Sequence, residues 1–421
     1  MFLLFLACTP TPVPTLVPVP EQAAAELSWS TDQPGIGWIE YSYPGSPPLQ
    51  SRPESVPRQE HQFLLVGIPG GVVGTWRAAW EEEGEVVTSD WQTWSPPLFE
   101  NPAEPPRISI ATNDDPGYLM LPDRAQQTLW ILGPDGAVVW ALRLDSNAYI
   151  ERARLVGNQL WHSYTDGNDN AAGGRIGSIG LDGSNPTDSS IPHHHDFLAF
   201  PDRLVYLKRF STVGADDVVW AADELVERVD GVERPLWNSV EGGALPEMHG
   251  DKAYDEGIDW THCNGLAWDS LQEAYWLSCK HQEAIFVISR EAELLGIVGG
   301  PASTSTLQGD GFGEIHAPYV TDDRLYVFNN SRGNGHGPRG EVYVLDRGSQ
   351  SYQLESSHDH PGAETQVFGN VTPTQSGGQM VSFGLAGFLE LVNPKGKMQL
   401  QVKTDGLGYV EYLPALSGPI E

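Results

Sequence analysis

Three histidines stand where a strand is about to begin: His195 in HHHDFLAFPD, His262 in DWTHCNGLAWD and His316 in GEIHAPYV. A sheet core has little use for an imidazole. Near neutral pH, however, imidazole carries one free lone pair and can serve as nucleophile, as base or as metal ligand. Taken singly, each of the three reads more readily as a structural side chain. Three at equivalent places in successive hairpins point instead to one shared site.

The hairpins supply the partners. A turn at 270–272 pairs Cys263 with Cys279 and His262 with Lys280; a turn at 321–324 sets His316 beside Asn329; a turn at Pro201-Asp202 brings His195 near Lys208. These elements recur. His262, His316 and Asn370 follow one another at an interval of 54 residues, and hairpins such as TLWILGPDGAVVWAL and FLELVNPKGKMQL place an acidic or amide residue in a tight turn between apolar strands. Repetition at this period, with no amphipathic helix-length pattern, is the mark of a propeller of four-stranded blades. The length after residue 107 accommodates six of them. In such a fold the first strand of every blade lines a central channel, and strand starts gather at one mouth. There His195, His262, His316 and Asn370 would converge, a polar constellation on rigid strands.

Ahead of this array, residues 26–100 alternate as short strands (SWSTDQPGIGWIEYSY, HQFLLVGIPGGVVGTWRAAW, DWQTW) and read as a small fibronectin III-like β-sandwich, with FENPAEPPR as the linker to a propeller over 107–421. Residues 1–25 are not fold. MFLLFLAC followed by a Pro- and Thr-rich tether resembles a bacterial lipoprotein signal, with Cys8 as the lipidated residue, so export to the periplasm or outer membrane is expected. Formal net charge is −32, which disfavours nucleic acid and anionic membrane alike and obliges any anionic substrate to find a locally positive pocket. Cys263 and Cys279 lack CxxC spacing, which argues against a thiolate zinc site, and in an exported protein they either stay reduced or form a cross-strand disulfide.

Taken in order, DWTHCNGLAWD, YWLSCKHQEAIFVISR, GFGEIHAPYVTDDRLYVFNNS and FGNVTPTQSGGQM, with HHHDFLAFPD before them, resemble the successive motifs of bacterial arylsulfate sulfotransferases. The resemblance spans nearly the whole chain from residue 26 and implies a β-sandwich followed by a six-bladed propeller. It implies transfer of a sulfuryl group from an aryl sulfate to a phenolic acceptor with no nucleotide donor and no cofactor, through a transiently sulfated histidine. By motif position that nucleophile is His316, with His262 and His195 as its supporting pair and Lys280 as the cation that holds the sulfuryl oxygens. His194, Asn264, Asn329 and Asn370 would contact substrate. The family commonly has arginine where this chain has Lys280, and an ammonium cannot grip two oxygens in a fixed fork. The absence of a GxxxxGK[ST] loop agrees with a nucleotide-free reaction.

Lesser signals complete the reading. Asp196 could orient an imidazole, His281 should face away from His262, and HDH at 358–360 and His336 read as loop or turn residues. Trp260, Phe312 and Tyr319 could either stack an aryl ring or fill the core. No metal is expected. The alternatives to an enzyme are a propeller holding zinc or copper through the three histidines, and a non-catalytic lipoprotein whose pocket binds an anion.

Overall fold

The computed structural model describes residues 12–19, 22–98, 103–111, 115–144, 149–165, 174–214, 217–244, 253–330, 336–365 and 367–420. Cys8 lies outside them. The described chain is all-β. Short alternating or fully apolar runs bounded by Gly, Asp and Asn turns form strands, and the helical elements among the described residues are two 3₁₀ turns, Lys280–Gln282 and Gly384–Ala386.

Six of the sheets follow one another after residue 107. The first joins Tyr118–Asp123, Thr128–Leu132 and Val138–Arg143 to the late strand Glu411–Leu413. The second runs Tyr149–Val156, Gln159–Thr165, Arg175–Gly180 and Thr187–Ser190. The third is led by Phe197–Ala199 and carries the long strands Leu204–Val213 and Val219–Val229. The fourth is Cys263–Asp269, Ala274–Cys279, Ala284–Ser289 and Leu294–Val298, and the fifth is led by Ile315–Val320 and Arg324–Asn329. In the sixth, Asn370–Pro373 leads and the early strand Arg107–Ala111 closes the outer edge against Met398–Lys403. Leading strands touch one another: Cys263–Asp269 packs on Phe197–Ala199 and on Ile315–Val320, which in turn packs on Asn370–Pro373.

Two further sheets come from the N-terminal region. One pairs Thr15–Pro18, Ala24–Gly35 and Arg58–Val66 with the C-terminal strand Gly418–Pro419; the other centres on Gly37–Ser42 and Gly74–Glu82. The proline-rich stretch is extended, as expected of residues with fixed φ, but Thr15–Pro18 is hydrogen-bonded into a sheet rather than free of it. Buried side chains of both N-terminal sheets, among them Trp29, Phe63, Trp76 and Trp80, continue without a break into Met120, Ile131 and Ile150 of the first two later sheets.

The hairpin registers follow the sequence outright in one of three cases and to within a residue in the other two. Cys263 faces Cys279, and the Lys280 N–H donates to the His262 carbonyl at 2.9 Å. The His194 N–H donates to Leu207 O at 3.1 Å and the Leu207 N–H reaches Asp196 O at 3.5 Å, so Leu207, one residue from the expected Lys208, stands across from the histidine run. In the third case Asn329 faces Ile315 and His316 faces Phe328, one residue from expectation, because the strand bulges after His316 with Ala317 at φ 43°.

The two cysteines are joined in a disulfide between the fourth sheet's first two strands, a bond the sequence had left open. It locks the residue after His262 to the residue before Lys280. Reducing it, or replacing both cysteines by serine, is expected to lower unfolding free energy by about 3 kcal/mol, the entropy of a loop of this length. Denaturant titration with and without reductant measures this; equal midpoints would contradict it.

Candidate functional site

His195 and His262 occupy the position just before their strands, and both adopt left-handed backbone, φ 62° and 50°. Glu314 and Phe368, which flank the same place, are left-handed too, at φ 52° and 61°. Each such non-glycine residue costs about 1–3 kcal/mol and persists only where its surroundings impose it. Here that geometry turns the side chains at the strand starts toward one another. The His195 and His262 ring centroids are 5.1 Å apart in an edge-to-face arrangement, and His316 is close enough that protonating it would disfavour protonation of His195, as His262 would disfavour its own. The sequence HCNG explains the closeness of the strands. The Asn264 amide donates to Ile315 O at 2.9 Å, and a Cβ on Gly265 would lie 2.5 Å from the Ala317 backbone, so only glycine lets the strands approach.

The hydrogen bonds fix where each proton sits. A carbonyl oxygen can only accept, so the His316 Nδ1, 2.9 Å from Glu314 O, carries the hydrogen and leaves its lone pair on Nε2. Asp259 accepts from His262 Nδ1, leaving a lone pair on that Nε2 also. The third histidine is set through a relay. Asp223 lies 2.9 Å from His194 Nε2 as an ion-pair contact; with the hydrogen on that nitrogen, His194 Nδ1 accepts and His195 Nδ1, 3.1 Å away, donates. His316 and His262 therefore expose an Nε2 lone pair when neutral, and His195 does so in this tautomer.

Burial keeps them neutral. It pushes His316 down to about 3, with His262 the next cause, and lowers His194, helped by Arg209. It drives His195 and His262 well below the ordinary histidine range, with His194 and Lys280 respectively adding to the effect. The acids separate. Burial raises Asp259 to about 6, whereas Asp223 falls to about 2, because His194 and Arg209 outweigh its desolvation.

Lys280 is buried at the start of a 3₁₀ turn, with its Nζ 3.8 Å from Glu314 and its charge felt by both His262 and His316. Lys208, by contrast, points away and pairs with Glu233 at 3.0 Å. The neighbouring Arg209 faces the site instead, opposite Asp223 across the strand pair and over the Tyr254 ring at 3.7 Å. Period-two alternation carries that signal, since 208 and 209 must lie on opposite faces. His281 also departs from expectation: its ring lies 5.1 Å from His262 and its Nδ1 3.9 Å from Asp259. It follows a turn, not a continuing strand, so alternation does not apply to it.

The remaining candidates sort differently. Asp196 orients no imidazole; it takes Arg154 at 3.0 Å and accepts the Leu266 N–H at 2.9 Å. Asn370 and Val410 exchange two hydrogen bonds, and Asn329 bonds Gly311, Gly313 and Glu341, so both amides tie backbone together. Trp260 packs on Trp220 and Phe312 on Tyr343, both in core. Phe368 is the aromatic beside the site, 6.1 Å from the His195 ring. His358 lies in the strand Ser351–Asp359 and His360 just beyond its end, and both clasp the buried Glu390, each at 2.6 Å, while His336 stays exposed beside Asp310. Among the described residues, the group whose metal-ligating atoms all lie within 4.8 Å of one another is Asp259, His262 and His281, rather than the three strand-start histidines.

Because buried histidines have depressed affinity for protons, the unfolded chain takes up more protons below about pH 6.5, and stability must fall as pH drops toward the folded values, about 3 for His316 and about 4 for His162 and His193. Each contributes up to ~2 kcal/mol of loss between pH 6.5 and 5, opposed by Asp259 alone among the site's acids. Denaturant unfolding at pH 7 and 5 should show a net loss of several times RT. Equal stability at the two pH values would contradict burial of neutral imidazoles.

The family model for arylsulfotransferase (ASST) matches residues 118–405, well over half of the chain. A search of curated proteins returns no match. Solved structures with a resembling shape include a protein of unknown function from Bacteroides caccae, at 12% identity over 71% of this chain and 99% of that one with a TM-score of 0.42. Others are a periplasmic gluconolactonase of Pseudomonas aeruginosa, 12% identical over 70% and 99% with a TM-score of 0.37, and the virginiamycin B lyase of Staphylococcus aureus, 14% identical over 70% and 87% with a TM-score of 0.34. Likeness at this level bears on no chemistry.

Proposed function

The chain belongs to the arylsulfotransferase (ASST) family, and from that membership together with the histidine cluster we propose that it moves a sulfuryl group from an aryl sulfate to a phenolic acceptor through a sulfated His316. The observation that carries this reading is the convergence of three buried histidines, with Nδ1 of His316 and of His262 held by an acceptor so that each Nε2 lone pair is available. In the first step His316 Nε2 attacks sulfur, an S–N bond forms, and the S–O bond to the aryl group breaks with its electron pair leaving on the phenolate oxygen. In the second, the acceptor's phenolic oxygen attacks the same sulfur while His262 or His195 Nε2 takes its proton, and the S–N electrons return to His316. Lys280 balances the charge on the sulfuryl oxygens. Phenols titrate near pH 10, so a neutral imidazole at the point of attack meets a real need.

The six successive sheets are, on this reading, the blades of a propeller whose leading strands line the reaction channel, and the two N-terminal sheets are a fibronectin III-like sandwich covering it. Export and attachment through Cys8 belong to the same proposal, and they rest on the sequence of the first residues. Asn264, Asn329 and Asn370 act by holding the strand starts, and His194 by setting the tautomer of His195.

A metal reading has one specific observation behind it, the convergence of Asp259, His262 and His281. Zinc there would take the base and the carboxylate that orients it, and so would compete with sulfuryl transfer. Metal analysis of protein purified without added ions separates the two.

Mass spectrometry of protein quenched with p-nitrophenyl sulfate alone should show one added SO3 on His316. His316→Ala should abolish both the adduct and nitrophenolate release with phenol present, and Lys280→Ala should lower kcat by about 10²–10³-fold while Lys280→Arg retains activity. An unmodified His316 in an active preparation would overturn the mechanism. No nitrophenolate release with any phenol would favour a binding protein.

A further inference from the structure

A cavity with charged groups in a largely apolar wall lies along the same leading strands. It encloses about 400 Å³ and is lined by Arg152, Arg154, Tyr319, Thr372, Glu411 and Leu413, with Arg52 at its rim. Arg152 and Arg154 belong to the strand Tyr149–Val156, whose Glu151 reaches the other way to accept the His195 N–H at 3.0 Å. Tyr319 comes three residues after His316 on the strand Ile315–Val320, at most about 10 Å further along it. Between the two places stand Phe368, beside His195, and Tyr409, whose ring is 5.1 Å from Phe368 and 5.5 Å from the Arg152 guanidinium. The cavity and the histidine cluster thus share an aromatic wall without sharing a residue.

Its polar groups are incomplete. Arg152 is 94% buried, yet its Nη1 has no hydrogen-bond partner among the described residues, and its Nε lies 3.5 Å from Asp196. Thr372 Oγ1 and Glu411 Oε2 are likewise buried without partners. Three orphaned polar atoms of different kinds around one void are rare in folded proteins and costly unless something fills the space. Charge points the same way. Arg152 and Arg154 repel each other, and Asp196 is engaged by both. Burial pushes the Glu411 carboxyl up, toward its neutral form. With Arg52 also in the lining, three arginines stand against two carboxylates, Asp196 and Glu411, an excess of one positive charge. Leu155, Tyr412, Leu413 and Pro414 supply an apolar flank.

We propose that this cavity binds an organic monoanion: an apolar or aromatic body bearing one carboxylate or sulfate-like head, held by Arg152 and Arg154, with a hydrogen bond from Thr372. The site is separate from the histidine cluster and does not depend on what that cluster does. A fully ionised divalent head would overcharge the pocket, and a neutral body would leave the guanidinium pair unmatched.

Benzoate is the probe, titrated calorimetrically into the full chain at pH 7. It should bind at a single site. Arg154→Gln should weaken it by about tenfold, the effect of removing one charge-assisted contact. Because Arg154 also holds Phe197 O and Leu266 O, Thr372→Val is the second variant; it removes a hydroxyl that has no partner in the fold, should leave the melting temperature unchanged, and should weaken benzoate about threefold. His316→Ala should bind benzoate as wild type does. Absence of binding, binding that neither Arg154→Gln nor Thr372→Val alters, or binding lost in His316→Ala would each overturn the proposal.

Discussion

The site depends on one constraint: imidazoles removed from water, each with a fixed acceptor for its Nδ1 hydrogen. Removal from water makes protonation unfavourable, so the lone pair survives at pH values where a surface histidine would be charged. The acceptor then decides which nitrogen keeps that lone pair. A carbonyl, that of Glu314, does this for His316; a carboxylate, Asp259, does it for His262; and His195 Nδ1 meets the Nδ1 of a second imidazole, His194, whose Nε2 lies 2.9 Å from Asp223. Lys280 and Arg209 add to the burial effect, since cations close to buried histidines make their protonation still harder. A positive neighbour here raises the fraction of reactive base as well as attracting an anion, which matters in a chain of net charge −32.

The architecture follows from the need to hold these groups without slack. The histidines precede or begin strands that pack directly on one another, so their Cα positions are set by sheet hydrogen bonds. Left-handed backbone at His195 and His262 aims the rings inward and is sustained by fixed bonds on either side, such as His195 N–H to Glu151 and Lys280 N–H to His262 O. The disulfide adjoining both His262 and Lys280 acts on the same pair. Asparagines at strand starts belong to this scaffold: Asn264 stitches the fourth sheet to the fifth, and Asn370 stitches the sixth to Val410, just before the strand Glu411–Leu413.

Much of this was legible in the sequence because hairpins are local. Turn residues and apolar alternation gave the pairing of Cys263 with Cys279 and of His262 with Lys280, and equal spacing marked out His262 and His316 as equivalents. What escaped is of two kinds. Side-chain direction at the end of an element escaped: His281 turns back because the chain leaves the strand in a 3₁₀ turn, and His316 shifts by one residue because Ala317 bulges. Partners distant in sequence escaped as well. Asp223 reaches His194 across a strand pair, whereas Asp196, adjacent in sequence and therefore suspected, faces two arginines on the other side. Arg209 was hidden beside Lys208, and alternation alone could have distinguished them. Glu390 between His358 and His360 had no local trace, since it lies on another sheet.

The most direct test of the central claim is ¹⁵N NMR of histidine-labelled protein at pH 7, which reads the protonation state and tautomer of each ring. His195, His262 and His316 should all appear as neutral imidazoles protonated at Nδ1, unchanged on acidification to pH 5. An imidazolium at any of the three, or a hydrogen on Nε2 of His316, would contradict the account.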